Sequence, residues 1–191
     1  LGMYRELVKL HRDYGLDFSS VRTFNLDEYC GLSPSHPQSY AHYMRQNFFA
    51  GVDLHPDNTH LLDGVAHDQF AECIRYEDEI KQAGGIDFQV LGIGRNGHIA
   101  FNEPGDHFQV RTSVFELADA TREANARFFE RGDTVPTRAL SVGIGTIMKA
   151  REILLVASGV EKAHALAASI FSPIDPALPA SILKIHPNFT L

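Results

Sequence analysis

Residues 92–104 read GIGRNGHIAFNEP: three closely spaced glycines, then a histidine, an asparagine and a glutamate, with a proline to close the segment. Three chemistries are open to these residue types. Gly92-x-Gly94-x-x-Gly97 matches the dinucleotide fingerprint, but that motif works through a helix in which its third glycine lies. The stretch after Gly97 has no helical periodicity and meets Pro104 within seven residues, so nucleotide binding is disfavoured. His98, Glu103, Asp106 and His107 are candidate metal ligands, yet they lack HxxxH or paired-cysteine spacing, and a metal is disfavoured as well. The third chemistry is proton transfer. His98 is the side chain suited to exchanging a proton near neutral pH. Glu103 can curl back to orient its ring, and Asn96 can fix the ring or a substrate hydroxyl. The glycines let the loop pass close to a ligand.

A lone loop histidine is as often simply hydrogen-bonded, so this reading needs partners elsewhere. The run Phe24-Asn25-Leu26-Asp27-Glu28-Tyr29 puts adjacent carboxylates at the carboxyl end of a predicted strand, where α/β proteins bind ligands. Neighbours on extended backbone point opposite ways. One carboxylate can therefore face a cleft as a base for a proton beside a carbonyl or imine, while the other makes structural contacts. A solvated acidic loop explains the pair equally well. Lys162 follows Ser158-Gly159 at a predicted helix start, where free amides favour an anion. Arg127 can add a forked phosphate contact. Taken singly, either cation is more often a solvated surface charge.

Alternating elements position these residues. Helical periodicity is expected at 4–14, 40–49 (with Ser39 as N-cap), 68–83, 119–129, 146–150 and 161–171. Strands are expected at 21–26, 86–91, 112–117, 139–142, 152–157 and 181–185, and the chain ends on a further extended segment at 189–191. Strands alternating with helices predict an α/β fold with a three-layer, Rossmann-like, mostly parallel sheet. Residues 1–191 read as a single domain.

Composition sets outer bounds. With 44% hydrophobic and 21% charged residues the chain is ordinary for a water-soluble protein. A net charge of −7 argues against a nucleic-acid partner, and its apolar runs are too short to span a membrane. The two cysteines, Cys30 and Cys73, have no redox or metal spacing, which fits a cytoplasmic protein.

Taken together, TFNLDEYCGL (23–32), HPQSYAHYMRQNFF (36–49), LGIGRNGHIAFNEPG (91–105), TREANARFF (121–129) and SGVEKAHAL (158–166) resemble the glucosamine-6-phosphate deaminase (isomerase) family. The resemblance covers essentially the whole chain. It implies conversion of glucosamine 6-phosphate and water into fructose 6-phosphate and ammonia, in amino-sugar catabolism. It implies Asp27 as the base that carries a proton from C2 to C1, and His98, with Glu103 and Asn96, as the group that opens the sugar ring. Arg127 and Lys162 match phosphate ligands. Neither a metal nor a cofactor is required. The partner is a small amino sugar phosphate, and a homo-oligomer is compatible. The alternatives are a 6-phosphogluconolactonase-like hydrolase on the same fold, and a non-catalytic sugar-phosphate sensor.

Departures from the family pattern carry their own expectations. Many members have aspartate where this chain has Asn96. Positions that serve an N-acetylglucosamine-6-phosphate effector site in some members are Ser113 and Phe115, with Asp106 and His107 nearby, so no such activation is expected. The family's first strand and phosphate loop would precede Leu1, and the chain ends in an extended segment. The resemblance therefore implies a sheet truncated at the N-terminus and at the C-terminus, and a fragment that is inactive or poorly folded alone.

Overall fold

Side-chain caps start the helices where the sequence marks them. Ser39 Oγ accepts from the His42 amide at 3.0 Å, and Asp68 Oδ1 accepts from the Phe70 and Ala71 amides at 3.0 and 2.9 Å. The computed structural model describes residues 2–129 and 133–191. Within them the chain runs α1 (Gly2–Tyr14), β1 (Thr23–Phe24), β2 (Asp27–Tyr29), α2 (Tyr40–Asn47) and β3 (Thr59–His60). It continues through α3 (Gln69–Gln82), β4 (Phe88–Leu91), β5 (Ser113–Glu116), α4 (Asp119–Ala126) and β6 (Arg138–Ser141). It closes with α5 (Ile144–Ile147), β7 (Glu152–Leu155), α6 (Ala163–Phe171) and β8 (Phe189–Thr190). Gly84 and Gly85, at φ +89° and +90°, stop α3 as a left-handed pair.

The architecture is α/β, but the strands do not form the single mostly parallel sheet expected. They form three sheets, β1–β3, β2–β6–β5 and β4–β7–β8. The first and third are parallel, whereas β2, β6 and β5 pair antiparallel. The chain turns between β1 and β2, where Leu26 O accepts from the Val142 amide at 2.8 Å, and this delivers Asp27 opposite Ser141 in an antiparallel register. Rather than pairing, β1 and β4 flank a groove of about 670 Å³ that Thr23, Phe24, Phe88 and Val90 help to line.

A second correction concerns residues 181–185, expected as a short strand, which belong to a 3-10 helix, Pro179–Ile185. Pro179 fits the first helical turn. The Ala180 amide donates to Gly97 O at 2.9 Å, and the Ser181 hydroxyl bonds the backbone of Asp175. Docking on the glycine loop outweighs the local β tendency.

The main core joins Tyr76 and Ile80 of α3, Leu91 of β4, Leu140 of β6, Ile153 and Leu155 of β7, Ala165 of α6 and Leu183. Each large aliphatic side chain buried there stabilises the fold by about 1.5–3 kcal/mol. Ile93 and Ile99 belong to the same cluster, so the glycine loop is anchored at both ends of its polar stretch. Among the described residues no helix is long and apolar enough to cross a membrane.

Candidate active site

The acidic pair separates as strand alternation requires. Glu28, 2% exposed, turns inward and serves α2: Oε1 accepts from the Tyr29 and Tyr40 amides at 2.9 and 3.0 Å, and Oε2 accepts from Ala41 at 2.9 Å. A carboxylate at a helix N-terminus satisfies free amides and complements the helix dipole. Asp27, on the opposite face of β2, lines a cavity instead. Burial, reinforced by the negative charge of Glu28, pushes the Asp27 carboxyl up to about 7.

The loop after β4 is shaped by its glycines. A Cβ on Gly94 would overlap ring atoms of His98, so only glycine lets that ring lie against the backbone. Gly97 sits at φ +84° with Leu178 packed against it. The Gly94 amide donates to His98 O at 2.8 Å, and Asn96 Oδ1 accepts from the His98 amide at 3.2 Å. Beyond the turn, buried Asn102 donates through Nδ2 to Ile99 O and Val142 O at 3.1 and 2.8 Å, which ties the loop to the end of β6. Among the described residues the next helix after Gly97 is α4, so the pyrophosphate-binding helix of the nucleotide reading is missing.

Glu103 is the hub behind this loop. Its Oε2 accepts from Asn96 Nδ2 at 2.7 Å and lies 3.5 Å from His98 Nδ1. That second distance is too long for a well-formed hydrogen bond, and Nδ1 is buried without a partner among the described residues. Its Oε1 accepts from the Thr121 hydroxyl at 2.5 Å. Burial alone would raise the Glu103 carboxyl, but His98, Thr121 and Asn96 together outweigh it and hold the group below its ordinary value. With Nδ1 turned inward, Nε2 is the ring nitrogen left to serve the cavity.

Basic residues converge from two other elements. Arg127 caps the C-terminus of α4, its guanidinium 4.7 Å from the centre of the Phe128 ring. Lys162 ends a short 3-10 turn, Val160–Lys162, just before α6. Desolvation lowers the Lys162 ammonium most; the positive charges of Arg95 and Arg127 lower it further, against an opposing pull from Glu161. A cation held near other cations is relieved by an anion.

One cavity of about 730 Å³ gathers these groups. Asp27, Asn96, His98, Arg127 and Lys162 all line it, and Glu103 stands behind His98 and Asn96. Two contributors went unread in the sequence. Arg95, between the second and third glycines, also lines the cavity, and no motif reading singled it out. Thr121 opens TREANARFF with nothing local to distinguish it from any helix threonine. The arrangement offers a near-neutral carboxylate, a histidine with a carboxylate behind it, and a cationic end. That set suits proton shuttling on an anionic substrate.

Residues 2–190 match the family described as glucosamine-6-phosphate isomerases/6-phosphogluconolactonase. The chain is 50% identical over 191 residues to a glucosamine-6-phosphate deaminase of Halothermothrix orenii, covering 100% of this chain and 79% of that protein. It is similar to a solved monomeric glucosamine-6-phosphate deaminase with a TM-score of 0.96 and 46% identity, over 99% of this chain and 78% of that one. A 6-phosphogluconolactonase from Thermotoga maritima aligns with a TM-score of 0.71 and 19% identity, over 92% and 73% of the two chains, a likeness of fold alone.

Proposed function

The chain belongs to the glucosamine-6-phosphate isomerase/6-phosphogluconolactonase family, and from that premise we propose that it is the deaminase, with the active site in the cavity under Asp27 and His98. The reaction converts glucosamine 6-phosphate and water into fructose 6-phosphate and ammonia. Its core is an aldose-to-ketose shift, and water enters only when the imine is hydrolysed.

The residue roles follow the chemistry. The phosphate lies among Arg127, Lys162 and Arg95, which fixes the far end of the sugar. His98, through Nε2, relays the proton from the C1 hydroxyl to the ring oxygen, so the ring bond breaks and an open-chain aldehyde forms. Glu103 and Asn96 hold the imidazole for that step. Asp27 then takes the proton from C2 while the substrate's C2 ammonium gives one to O1, and an enolamine results. The same carboxyl returns the proton to C1, leaving an iminium at C2. Water adds there, and ammonia leaves as the C2 carbonyl forms. A base poised near 7 is matched to taking and returning a proton at neutral pH.

The observation that carries this reading is the convergence on one cavity of Asp27, His98 and three cations drawn from separate parts of the chain. Free, buried Cys30 and Cys73 fit a reduced, cytoplasmic setting. The test is turnover of both family substrates by the protein at the full length of its relatives, of which this chain covers 79% in the Halothermothrix orenii enzyme. Ammonia release from glucosamine 6-phosphate with negligible hydrolysis of 6-phosphogluconolactone is expected. The reverse pattern assigns the cavity to lactone hydrolysis, and binding of the amino sugar phosphate without turnover assigns it to sensing.

A further inference from the structure

Glu103 is held from two sides, and only one of them is the loop that carries His98. Oε2 faces Asn96 and His98, while Oε1 takes the Thr121 hydroxyl from α4 at 2.5 Å. Such a short O–H···O⁻ contact to an ionised group is among the stronger hydrogen bonds in proteins. Among the described residues, Thr121 is the only one of α4 that is buried, at 6% exposure. The helix has no side-chain N-cap, and its other polar anchor is Asn125 Nδ2 donating to the Tyr29 hydroxyl at 3.0 Å. The Thr121 hydroxyl is therefore spent on a carboxylate rather than on its own helix.

We infer that Thr121 is a positioning residue: its hydroxyl fixes the rotation of the Glu103 carboxylate so that Oε2 stays turned to Asn96 and His98. This rests on the deaminase reading, in which Glu103 supports the ring-opening histidine. Without the Thr121 donor, Oε1 has no fixed partner and the carboxylate can rotate about its terminal torsion, which is soft. The 3.5 Å separation from His98 Nδ1 must shorten for an imidazolium to be held in the transition state, and a rotated carboxylate cannot close it.

Thr121→Val keeps the shape and removes the donor; Thr121→Ser keeps the donor. In the full chain, Thr121→Val is expected to lower kcat for ammonia release about tenfold, with KM within about threefold of the parent. In selectively carboxyl-¹³C-labelled protein without substrate, its Glu103 titration midpoint is expected to move up. Thr121→Ser is expected to restore both. Parental kcat in Thr121→Val, a loss confined to KM through a loosened Arg127, or an unmoved Glu103 midpoint would each overturn the inference. Absence of ammonia release from the parent itself would overturn the deaminase reading instead. The Glu103 titration needs no turnover and decides the role of Thr121 in either case.

Discussion

Asn96 Nδ2 lies 2.7 Å from Glu103 Oε2, closer than the 3.5 Å between that oxygen and His98 Nδ1. The amide thus occupies the carboxylate first, and the histidine stands in second place. Replacing this donor by an acceptor turns a hydrogen bond into a repulsion between like charges. Asn96→Asp is therefore expected to raise the Glu103 carboxyl, because two neighbouring carboxylates cannot both ionise freely. The check is a carboxyl-¹³C titration of Glu103 without substrate: its midpoint should move up in Asn96→Asp. An unshifted midpoint would show that the Asn96 contact does not govern Glu103.

In its proposed role Asp27, pushed up to about 7, must be ionised to accept the C2 proton. Below that value kcat/KM should fall about tenfold per pH unit as the base is protonated. Asp27→Asn should abolish that dependence and lower ammonia release on the order of a thousandfold. A variant with near-parental turnover would remove Asp27 from its assigned role.

The same carboxyl has a stability consequence. Its folded value, about 7, lies above the ordinary 3.8, so between these the folded state holds a proton that the unfolded chain has released. Stability should therefore be lost as pH rises through that window, as the burial penalty on the charge comes into force. Asp27→Asn has no such charge. Its Tm should exceed the parent's at pH 8 by at least about 3 °C, with little difference at pH 4. A Tm gain equal at both pH values would contradict this origin.

Arg95 lines the cavity and presses on Lys162 with like charge. Arg95→Gln should raise KM for the sugar phosphate about tenfold, leave kcat within about twofold, and weaken inhibition by inorganic phosphate. The same variant with unchanged KM would make Arg95 a surface charge only.

A smaller cavity of about 280 Å³ lies beyond the loop, lined by Glu103, His107, Gln109, Ser113, Phe115 and Pro176 among others, with neither lysine nor arginine among its lining residues. His107 and Asp106 already pair at 2.5 Å. A phosphorylated effector finds little to neutralise it there. Steady-state rates should be hyperbolic in substrate and unchanged by added N-acetylglucosamine 6-phosphate. Strong activation would refute this.

Much of the site was legible before the fold was known, because the chemistry is concentrated in short segments. The caps Ser39 and Asp68, the stop at Gly84–Gly85 and the glycine loop are local devices, and local devices can be read from local sequence. The failures were non-local. Residues 181–185 read locally as a strand, yet the Ala180 amide finds its partner in Gly97, far away in sequence. The turn after β1 delivers β2 to an antiparallel partner, which alternation of elements does not foretell.

The residue types alone supplied groups suited to proton transfer on a small anion, a glycine loop with His98 and Glu103, an acidic pair and scattered cations, and left each open to a plainer structural role. Tertiary structure decided which member of the acidic pair faces the cavity. It buried Glu28 under α2 and left Asp27 facing the cavity, and by burying that charge beside another it moved Asp27 towards neutrality. It also brought Thr121 and Arg95 into play. The reason is physical: hydrogen bonding to a distant carboxylate, desolvation and charge proximity are properties of the assembled space, and no window of sequence contains them.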